Sequence, residues 1–342
     1  MRRVDLVLTG LGNVGRAFAR LAEEKRSLCR DRYGIDLRLK AALNSKGGFL
    51  TGRATDGDGL GDLAIAVSAP MEHPAWHPGL RLGEALGGGE PGVLVECTPT
   101  DIRTGEPGRA FMTEALSKGW HVAAASKGAL VLDFPALSAL AGSNGVRLKY
   151  SGATAAALPT LDVGQVSLAA ATVLRIEGIL TGVTNHILTR REGGIPFAAA
   201  LMEAQALGIA EPDPSLDIDG WDTACKILLI SNAVAGTGFQ LADVRREGIR
   251  NVTPEMLKQA RAEGKAVKLL GRFVQEGGER RVEVAVSSVE RSHPLHGVAG
   301  TNKAISYFTD TMGTITVAGG KSDPRGTAAA LLKDIINICR GI

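Results

Sequence analysis

The segment 220–229, GWDTACKILL, places an aspartate and a lysine next to a long apolar run. Asp222 and Lys226 are four positions apart, so on a helix they lie on one face, one turn apart. On an exposed helix such a pair contributes only about 0.3–0.5 kcal/mol. The run from Ile227 to Ile230 is apolar on every side, however, which predicts a helix largely enclosed by protein. Because enclosing a lone ion pair is costly, two interpretations stay open: a surface pair, or a functional pair that faces a cleft.

A dense acidic segment precedes this helix. It contains Glu211, Asp213, Asp217 and Asp219, and it ends at Asp222. The spacing does not follow the EF-hand pattern and two prolines interrupt it, so a calcium loop is not favoured. The segment is either a solvated acidic turn or a site that binds a cationic ammonium group and keeps one acid for proton transfer.

A glycine-rich turn near the N-terminus matches the dinucleotide-binding pattern G-x-G-x-x-G. It follows the apolar run from Val4 to Leu8 and opens a helical pattern, and this context makes the match specific. The glycines permit a tight turn and close backbone approach, and the helix N-terminus faces the pyrophosphate. A glycine turn without a ligand is the less favoured alternative. The cofactor-binding residues predicted here are Gly10, Gly12, Asn13, Val14 and Gly15.

The end of the second predicted strand bears on the choice between NAD and NADP. NAD-binding proteins usually have an acid there that holds the ribose hydroxyls. This chain has Asn44, Ser45 and Lys46 instead, and Lys46 could bind a 2′-phosphate. We therefore expect either NAD or NADP to bind, with NADP slightly favoured; a solvated surface lysine is the alternative.

Strand and helix patterns alternate through the first 150 residues, which indicates an α/β fold with a Rossmann-type doubly wound parallel sheet. We expect residues 1–150 to form an NAD(P)-binding domain, with 46–62 as a loop. Residues 151–318 then form a second, α+β domain, with strands predicted at 173–189 and 279–295 and helices at 195–208 and in the 220–229 segment. The C-terminal segment 319–342 contains a predicted helix between Pro324 and Gly341 that completes the first domain.

Composition narrows the class of protein. The 342 residues suit two domains, and a net charge of +3 without a basic block predicts no binding to nucleic acid or to membrane surfaces. No apolar stretch is long enough to span a membrane. The four cysteines form no metal-type pair, so we predict no metal site and a reducing, cytoplasmic location. Cys225 is interpreted as packing, His73 and His77 as loop residues, and His293 and His296 as structural.

Several segments together resemble the homoserine dehydrogenase family. The most specific is EAQALGIAEPDPSLDIDGWDTACK at 203–226, which resembles the family signature with its Asp-x-x-x-Lys helix. ASKGAL at 125–130, GILTGVTNHIL at 178–188 and HPLHGVAGTNKAI at 293–305 also correspond. The resemblance extends over nearly the whole chain and implies the short form without a C-terminal regulatory domain.

This resemblance implies a reaction and roles for its residues. The family interconverts L-homoserine and L-aspartate 4-semialdehyde with NAD or NADP, in the aspartate pathway to threonine and methionine. Lys226 would donate and accept the proton at the substrate oxygen, and burial of a lysine favours the neutral form that such chemistry requires. Asp222 would bind substrate and tune the lysine. Glu211 would hold the substrate ammonium with support from Asp217. Lys127 would lie between nicotinamide and substrate as a second acid–base candidate.

The resemblance also implies the role of the second domain and further cofactor-binding residues. Residues 151–318 would be the catalytic and dimerisation domain, with a homodimer built through its sheet. The resemblance also adds cofactor-lining positions, namely Thr98, Lys127, Gly208, Gly319 and Gly320.

The chain departs from the family pattern at several points. The family's sodium-binding loop reads E-A-x-V-x-G-G-x-P, whereas this chain has SGATAAALP at 151–159. The glutamate of the pattern is replaced by Ser151, so we do not predict a sodium site here. Thr181 and Val183 replace an asparagine and a threonine of the substrate segment, and Ser126 replaces an asparagine. These changes leave open a related dehydrogenase that acts on another hydroxy acid or amino acid. A non-catalytic NAD(P)-binding sensor is a further alternative. Aspartate-semialdehyde dehydrogenase is less favoured, because neither Cys97 nor Cys225 has a histidine nearby in sequence.

Overall fold

The computed structural model describes residues 1–50, 70–72, 74–88, 90–320 and 323–342. The chain divides into two compact units. The first comprises Met1–Ala153 and Pro324–Ile342, and the second comprises Thr154–Asp323. None of the described helices combines the length and apolar character of a membrane span.

The first unit is built on a seven-stranded sheet. The strands are β1 Arg2–Thr9, β2 Ile35–Asn44, β3 Gly47–Leu50, β4 Trp76–Pro78, β5 Val93–Glu96, β6 His121–Ala124 and β7 Leu148–Lys149. Their order in the sheet is β4-β3-β2-β1-β5-β6-β7. Strands β2, β1, β5, β6 and β7 are parallel to one another, whereas β3 and β4 pair antiparallel at one edge. The helices are α1 Asn13–Glu24, α2 Arg26–Tyr33, α3 Leu82–Leu86, α4 Gly108–Ser117, α5 Gly128–Ser143 and the C-terminal α13 Pro324–Arg340, with Pro70–Glu72 as a 3₁₀ turn.

The parallel core explains the apolar runs of the sequence. Leu6, Val7 and Leu8 of β1 have no exposed surface, as expected for a central strand covered on both faces. Leu331 and Ile335 of α13 belong to the same buried cluster as β1. The predicted Rossmann-type sheet and the predicted C-terminal helix are both confirmed, and this helix belongs to the first unit.

The second unit contains a six-stranded sheet. The strands are β8 Val173–Ile179, β9 Arg245–Arg246, β10 Ala266–Glu276, β11 Glu279–Val289, β12 Lys303–Thr309 and β13 Thr314–Gly319. Their order is β13-β12-β8-β10-β11-β9, and among these described strands only the short β9 pairs in parallel, with β11. The helices are α7 Thr160–Asp162, α8 Gly182–Glu192, α9 Phe197–Ala206, α10 Ser215–Ile218, α11 Trp221–Ala235 and α12 Pro254–Ala262, with a π-helical turn at Val163–Ser167 and a 3₁₀ turn at Leu241–Asp243. A short helix α6, Ser151–Thr154, lies at the boundary of the two units.

Some predicted elements were wrong. The strand predicted over 173–189 ends at Ile179, and Gly182–Glu192 is a helix whose first seven residues are all buried. A helix buried on every side shows no 3.6-residue period, so its β-branched residues favoured a strand. The strand predicted over 279–295 ends at Val289. Gly47–Leu50, predicted as loop, pairs with β2 as a strand; the rest of that predicted loop, 51–62, lies outside the described residues, as does His73.

Candidate active site

The glycine turn after β1 has the geometry of a dinucleotide-binding turn. Gly10 has φ +89° and lies against the Cys97–Thr98 backbone, where a Cβ would clash. Gly15 packs against the carbonyl of Gly10, again with no room for a side chain. Around Gly12, by contrast, a Cβ would meet nothing within 4 Å. Two glycines are therefore required by packing, and the middle one leaves an open approach to the backbone.

The N-terminus of α1 extends this open surface. Gly12 is its N-cap, no side chain caps the helix, and its first turn carries no acid. Asn13 is exposed and Val14 is half-buried. Uncapped backbone N–H groups at a helix N-terminus suit an anionic group such as pyrophosphate.

The end of β2 lies directly beside this turn, because Gly10 N donates to Leu43 O at 2.9 Å. Asn44 occupies the position where an acid is usual, and its Oδ1 accepts from Lys46 N at 2.7 Å. Lys46 is exposed in the turn to β3. The side of the turn that would receive the ribose therefore offers a neutral amide and an exposed cation.

A buried carboxylate joins the ends of β5 and β6. Glu96 is 0% exposed and accepts from Thr98 N at 2.8 Å and from the Thr98 hydroxyl. It also accepts from Ser126 Oγ at 2.6 Å and Ser126 N at 3.3 Å. Burial raises the pKa of Glu96, and the hydrogen bonds from Ser126 and Thr98 oppose that shift. Glu96 is not among the site residues predicted from the sequence, although an acid at the end of an apolar strand is a visible signal.

Lys127 follows Ser126 directly and immediately precedes α5. It is half-buried, and its backbone N donates to Thr100 Oγ1 at 3.1 Å. The first unit thus brings Thr98, Ser126 and Lys127 to neighbouring strand ends, and Thr98 lies against the Gly10 turn.

In the second unit, Lys226 and Asp222 form the pair predicted from their spacing. Lys226 Nζ lies 2.5 Å from Asp222 Oδ2, and each side chain is 15% exposed. Lys226 Nζ also donates to Leu180 O at 2.9 Å. The helix that carries the pair is buried at Ala224, Cys225 and Ile227, so the pair is not a freely solvated surface pair.

The segment after β8 also holds one of the predicted acids. Thr181 Oγ1 donates to Asp217 Oδ1 at 2.7 Å, and Thr181 directly follows the Leu180 carbonyl that accepts from Lys226. Two of the predicted site residues, Asp217 and Lys226, are therefore held by adjacent residues of one segment. Val183 is buried in α8.

The remaining acidic residues divide into two groups. Glu211 is exposed, and Gln205 Nε2 holds its backbone carbonyl at 3.2 Å rather than its carboxylate. Asp213 accepts from Ser215 Oγ at 2.5 Å, and Asp219 pairs with Arg250. Asp213 and Asp219 thus stabilise the local turn. Gly208, with φ +69°, is exposed after α9.

The end of β13 contacts a loop of the same unit. Gly320 has φ +75°, and a Cβ there would lie 2.7 Å from Leu158 N. Gly319 pairs with Lys303 across the β12–β13 hairpin. Lys303, which the sequence analysis missed, is 2% exposed and donates from Nζ to Ala155 O at 2.8 Å. Its only sequence signal is an isolated lysine that opens an apolar strand.

Other residues have structural roles. His293 Nε2 lies 2.7 Å from Glu177 Oε2, and the other carboxylate oxygen of this residue, Oε1, accepts from Arg272 Nε at 3.1 Å. Cys225 is 1% exposed, in agreement with the packing interpretation. No group of three or more metal-ligating residues occurs within the described part of the chain.

A parallel-sheet unit with a dinucleotide turn, together with a second unit that holds a half-buried lysine–aspartate pair, defines a nicotinamide-dependent oxidoreductase. Comparison with known proteins gives the family. A family model described as homoserine dehydrogenase matches residues 159–336, and one described as the NAD binding domain of homoserine dehydrogenase matches residues 10–151. The chain belongs to the homoserine dehydrogenase family.

Relatives that match this chain over nearly its whole length are also named as homoserine dehydrogenases. The homoserine dehydrogenase of Methanocaldococcus jannaschii is 32% identical over 98% of each chain. The NAD(+)-dependent homoserine dehydrogenase of Pseudomonas canavaninivorans is 30% identical and covers 99% of this chain and 97% of its own. The crystal structure of a protein of Archaeoglobus fulgidus assigned as a homoserine dehydrogenase superimposes with a TM-score of 0.86 at 31% identity, covering 98% of this chain and 99% of that one.

Proposed function

We propose that this protein interconverts L-homoserine and L-aspartate 4-semialdehyde with a nicotinamide cofactor, in amino-acid biosynthesis leading to threonine and methionine. The observation that carries the proposal is the Lys226 ammonium, held by Asp222 and by the Leu180 carbonyl on a helix that is otherwise buried. Enclosing an ion pair in such a setting costs desolvation free energy, and proton transfer gives the pair a function.

The chemistry divides between cofactor and protein. The nicotinamide, when bound, accepts the hydride from the alcohol carbon or returns it to the aldehyde. In the direction of oxidation, neutral Lys226 accepts the hydroxyl proton and becomes an ammonium, and the Asp222 carboxylate stabilises the new charge. In the reverse direction, the same ammonium donates its proton to the oxygen of the forming alcohol. Lys127 is the second acid–base candidate.

The acids of the second unit suit the amino end of the substrate. We assign Asp217, Asp222 and Glu211 to binding the substrate ammonium group and its surroundings. Thr181 orients the Asp217 carboxylate by a hydrogen bond of 2.7 Å, so this acid is preorganised. Glu211 is exposed and contributes at the rim.

The first unit fits a dinucleotide, because Gly10 and Gly15 leave no room for a Cβ while Gly12 stays open. We infer that Gly10, Gly12, Asn13, Val14 and Gly15 cradle the pyrophosphate. Thr98 and Lys127 line the cofactor, and Gly208, Gly319 and Gly320 contribute further backbone contacts. We also infer that NADP is accepted beside NAD, because Asn44 carries no charge and Lys46 is an exposed cation.

We further propose a homodimer formed through the sheet of the second unit. Its edge strand β13 is largely exposed and includes Ile315, which is 36% exposed. An edge strand with exposed apolar side chains is suited to pairing with another chain. All four cysteines are free thiols, which suits a reducing cytoplasm. Light scattering on the purified protein tests the dimer.

The primary test measures NADP- and NAD-linked oxidation of L-homoserine by the wild type and by Lys226→Ala. We expect the variant to lose about 10²- to 10⁴-fold in kcat, the range for general acid–base groups, while cofactor binding measured by fluorescence is retained. A wild type that binds cofactor but does not turn over homoserine would refute the assigned substrate. A variant with near-normal kcat would remove Lys226 from the mechanism.

A further inference from the structure

Lys303 is a buried cation bonded to a backbone loop. Its Nζ donates to Ala155 O at 2.8 Å, and the residue is 2% exposed. Placing an ammonium in such a position is unfavourable unless neighbouring groups compensate. Asp222 and Asp323 supply negative charge close enough to interact with it, and Lys226 adds positive charge. The second unit therefore contains a cluster of two ammonium groups and two carboxylates.

The loop that Lys303 contacts has a constrained backbone. Ala156 has φ +53°, a left-handed conformation that alanine rarely adopts and that persists only when surrounding contacts impose it. Gly320 approaches the same loop at Leu158 N, and Gly319 pairs with Lys303 across the β12–β13 hairpin. The open end of this hairpin thus bonds to the loop at Ala155 and packs closely against it at Leu158.

This loop corresponds to the family's sodium-binding loop but carries no carboxylate, and the neighbouring Asp334 carboxylate is already paired with Lys333 at 2.9 Å, so its residues do not fit a sodium ion. Hard cations are held by oxygen ligands, carboxylates above all. The glutamate of the family pattern is replaced by Ser151, whose hydroxyl donates to Asp334 Oδ1 and accepts from Lys333 Nζ, both at 2.8 Å. The carbonyl of Ala155 accepts a hydrogen bond from an ammonium. The oxygens of Ser151 and Ala155 are thus engaged with side chains of the protein itself.

We propose that the Lys303 ammonium is a built-in cation that takes the place of a metal ion at this loop, so that the protein requires neither sodium nor potassium. Charge supports this assignment, because the Lys226 and Lys303 ammonium groups already balance the Asp222 and Asp323 carboxylates, so no net negative charge remains in the cluster to attract a metal cation. Position supports it as well. β12 pairs with β8 so that Ala304 lies opposite Ile179, and the next residue, Leu180, holds Lys226. The internal cation and the candidate base are therefore attached to adjacent strand ends.

The test compares the wild type with Lys303→Ala at pH 6.0, below the pKa of about 7 to which burial lowers Lys303, in sodium, potassium or tetramethylammonium chloride at equal ionic strength. We expect the wild type to show the same reduction rate of L-aspartate 4-semialdehyde and the same thermal midpoint in all three salts. The variant should lose at least about tenfold in kcat in tetramethylammonium and regain several-fold in sodium or potassium. Its thermal midpoint should rise by about 3 °C or more with sodium or potassium, as ligand binding to the folded state requires.

Lys268→Ala is the matched control. Lys268 is also a buried lysine, 1% exposed, and its Nζ donates to a backbone carbonyl, that of Val298, at 2.8 Å. Its loss should lower the thermal midpoint without any selective response to sodium or potassium. If Lys303→Ala does not fold, Lys303→Ser leaves the same space with a polar side chain, and its thermal midpoint in the three salts replaces that of the alanine variant.

Three results would overturn the proposal: activation or thermal stabilisation of the wild type by sodium or potassium, a Lys303 variant whose midpoint ignores the cation, and an equal response of Lys268→Ala. The activity measurements rest on the proposed homoserine reaction, whereas the thermal measurements do not. A failure of the assigned substrate is therefore distinguishable from a failure of the internal cation.

Discussion

The hydroxyl of Thr181 donates to Asp217 Oδ1 at 2.7 Å, one residue after the carbonyl that accepts from Lys226. A single turn between β8 and α8 therefore sets the position of a predicted substrate acid and of the predicted base. Thr181 was noted in the sequence only as a departure from the asparagine of the family pattern. In the structure it retains a hydrogen-bonding function, because a hydroxyl can donate to a carboxylate as an amide does.

Replacing Thr181 by valine preserves the shape of the side chain and removes this donor. A neutral hydrogen bond contributes about 1 kcal/mol, so KM for L-homoserine should rise roughly fivefold while kcat changes little. Steady-state kinetics with saturating cofactor measure both constants. Thr309→Val is the control, because it also removes a threonine hydroxyl, which donates to Gly313 O and accepts from Met312 N, both at 2.9 Å, in the β12–β13 turn. An equal rise of KM in both variants would show that the Thr181 contact does not act on substrate.

Sequence patterns predicted the first unit well for a physical reason. Its strands are apolar runs separated by turn residues, and the glycine turn is local, so Gly10, Gly12 and Gly15 could be placed without tertiary information. The spacing of Asp222 and Lys226 is also local, since one helix carries both.

The parts that could not be predicted depend on contacts between distant segments. Lys303 meets Ala155 across 148 positions, and Glu96 meets Ser126 across 30. No local period signals such a contact. The helix Gly182–Glu192 was missed because it is buried on several sides and therefore carries no amphipathic pattern.

Glu96→Gln tests the link between Thr98 and Ser126. The amide keeps the volume but turns one acceptor into a donor that faces the Ser126 amide. KM for the cofactor should rise, and the free energy of unfolding should fall by about 1–3 kcal/mol at pH 4.5. Urea unfolding and cofactor titration measure the two effects. Glu90→Gln, a substitution at an exposed position, is the control.

The same variant has a pH signature whose sign follows from burial. Burial raises the pKa of Glu96 in the folded protein above its ordinary value of 4.5. At pH values between 4.5 and this raised pKa, the folded state therefore holds the proton more tightly than the unfolded state does. Its contribution to stability is therefore present below pH 4.5 and is lost as the pH rises. Wild type should lose stability relative to Glu96→Gln from pH 4.5 upward. A constant difference over that range would contradict the assignment.

Lys46→Glu tests the cofactor preference. A glutamate at this exposed position would repel a 2′-phosphate and could accept from ribose hydroxyls. We expect KM for NADP to rise about tenfold or more, equivalent to about 1.4 kcal/mol, with KM for NAD unchanged or lower. Lys258→Glu, at an exposed position of α12, makes the same charge change in the second unit and should leave the preference unaltered. Equal effects on NAD and NADP would remove Lys46 from the 2′-phosphate site.

Lys303 gives the free energy of unfolding a pH dependence whose sign is opposite to that of Glu96. Burial, reinforced by Lys226, lowers the pKa of Lys303 from 10.5 to about 7, and Asp222 and Asp323 only partly oppose that shift. Between these values the unfolded chain holds a proton that the folded protein has released, so the stability of the wild type rises with pH.

The variant Lys303→Met lacks this titratable group. From pH 7.5 to 9.0, the free energy of unfolding of the wild type should increase relative to this variant by up to about 1.4 kcal/mol per pH unit. Urea unfolding at several pH values measures the difference, with Lys258→Met as the exposed control. A flat difference would mean that Lys303 keeps its proton throughout this range, and then the internal cation would persist at alkaline pH.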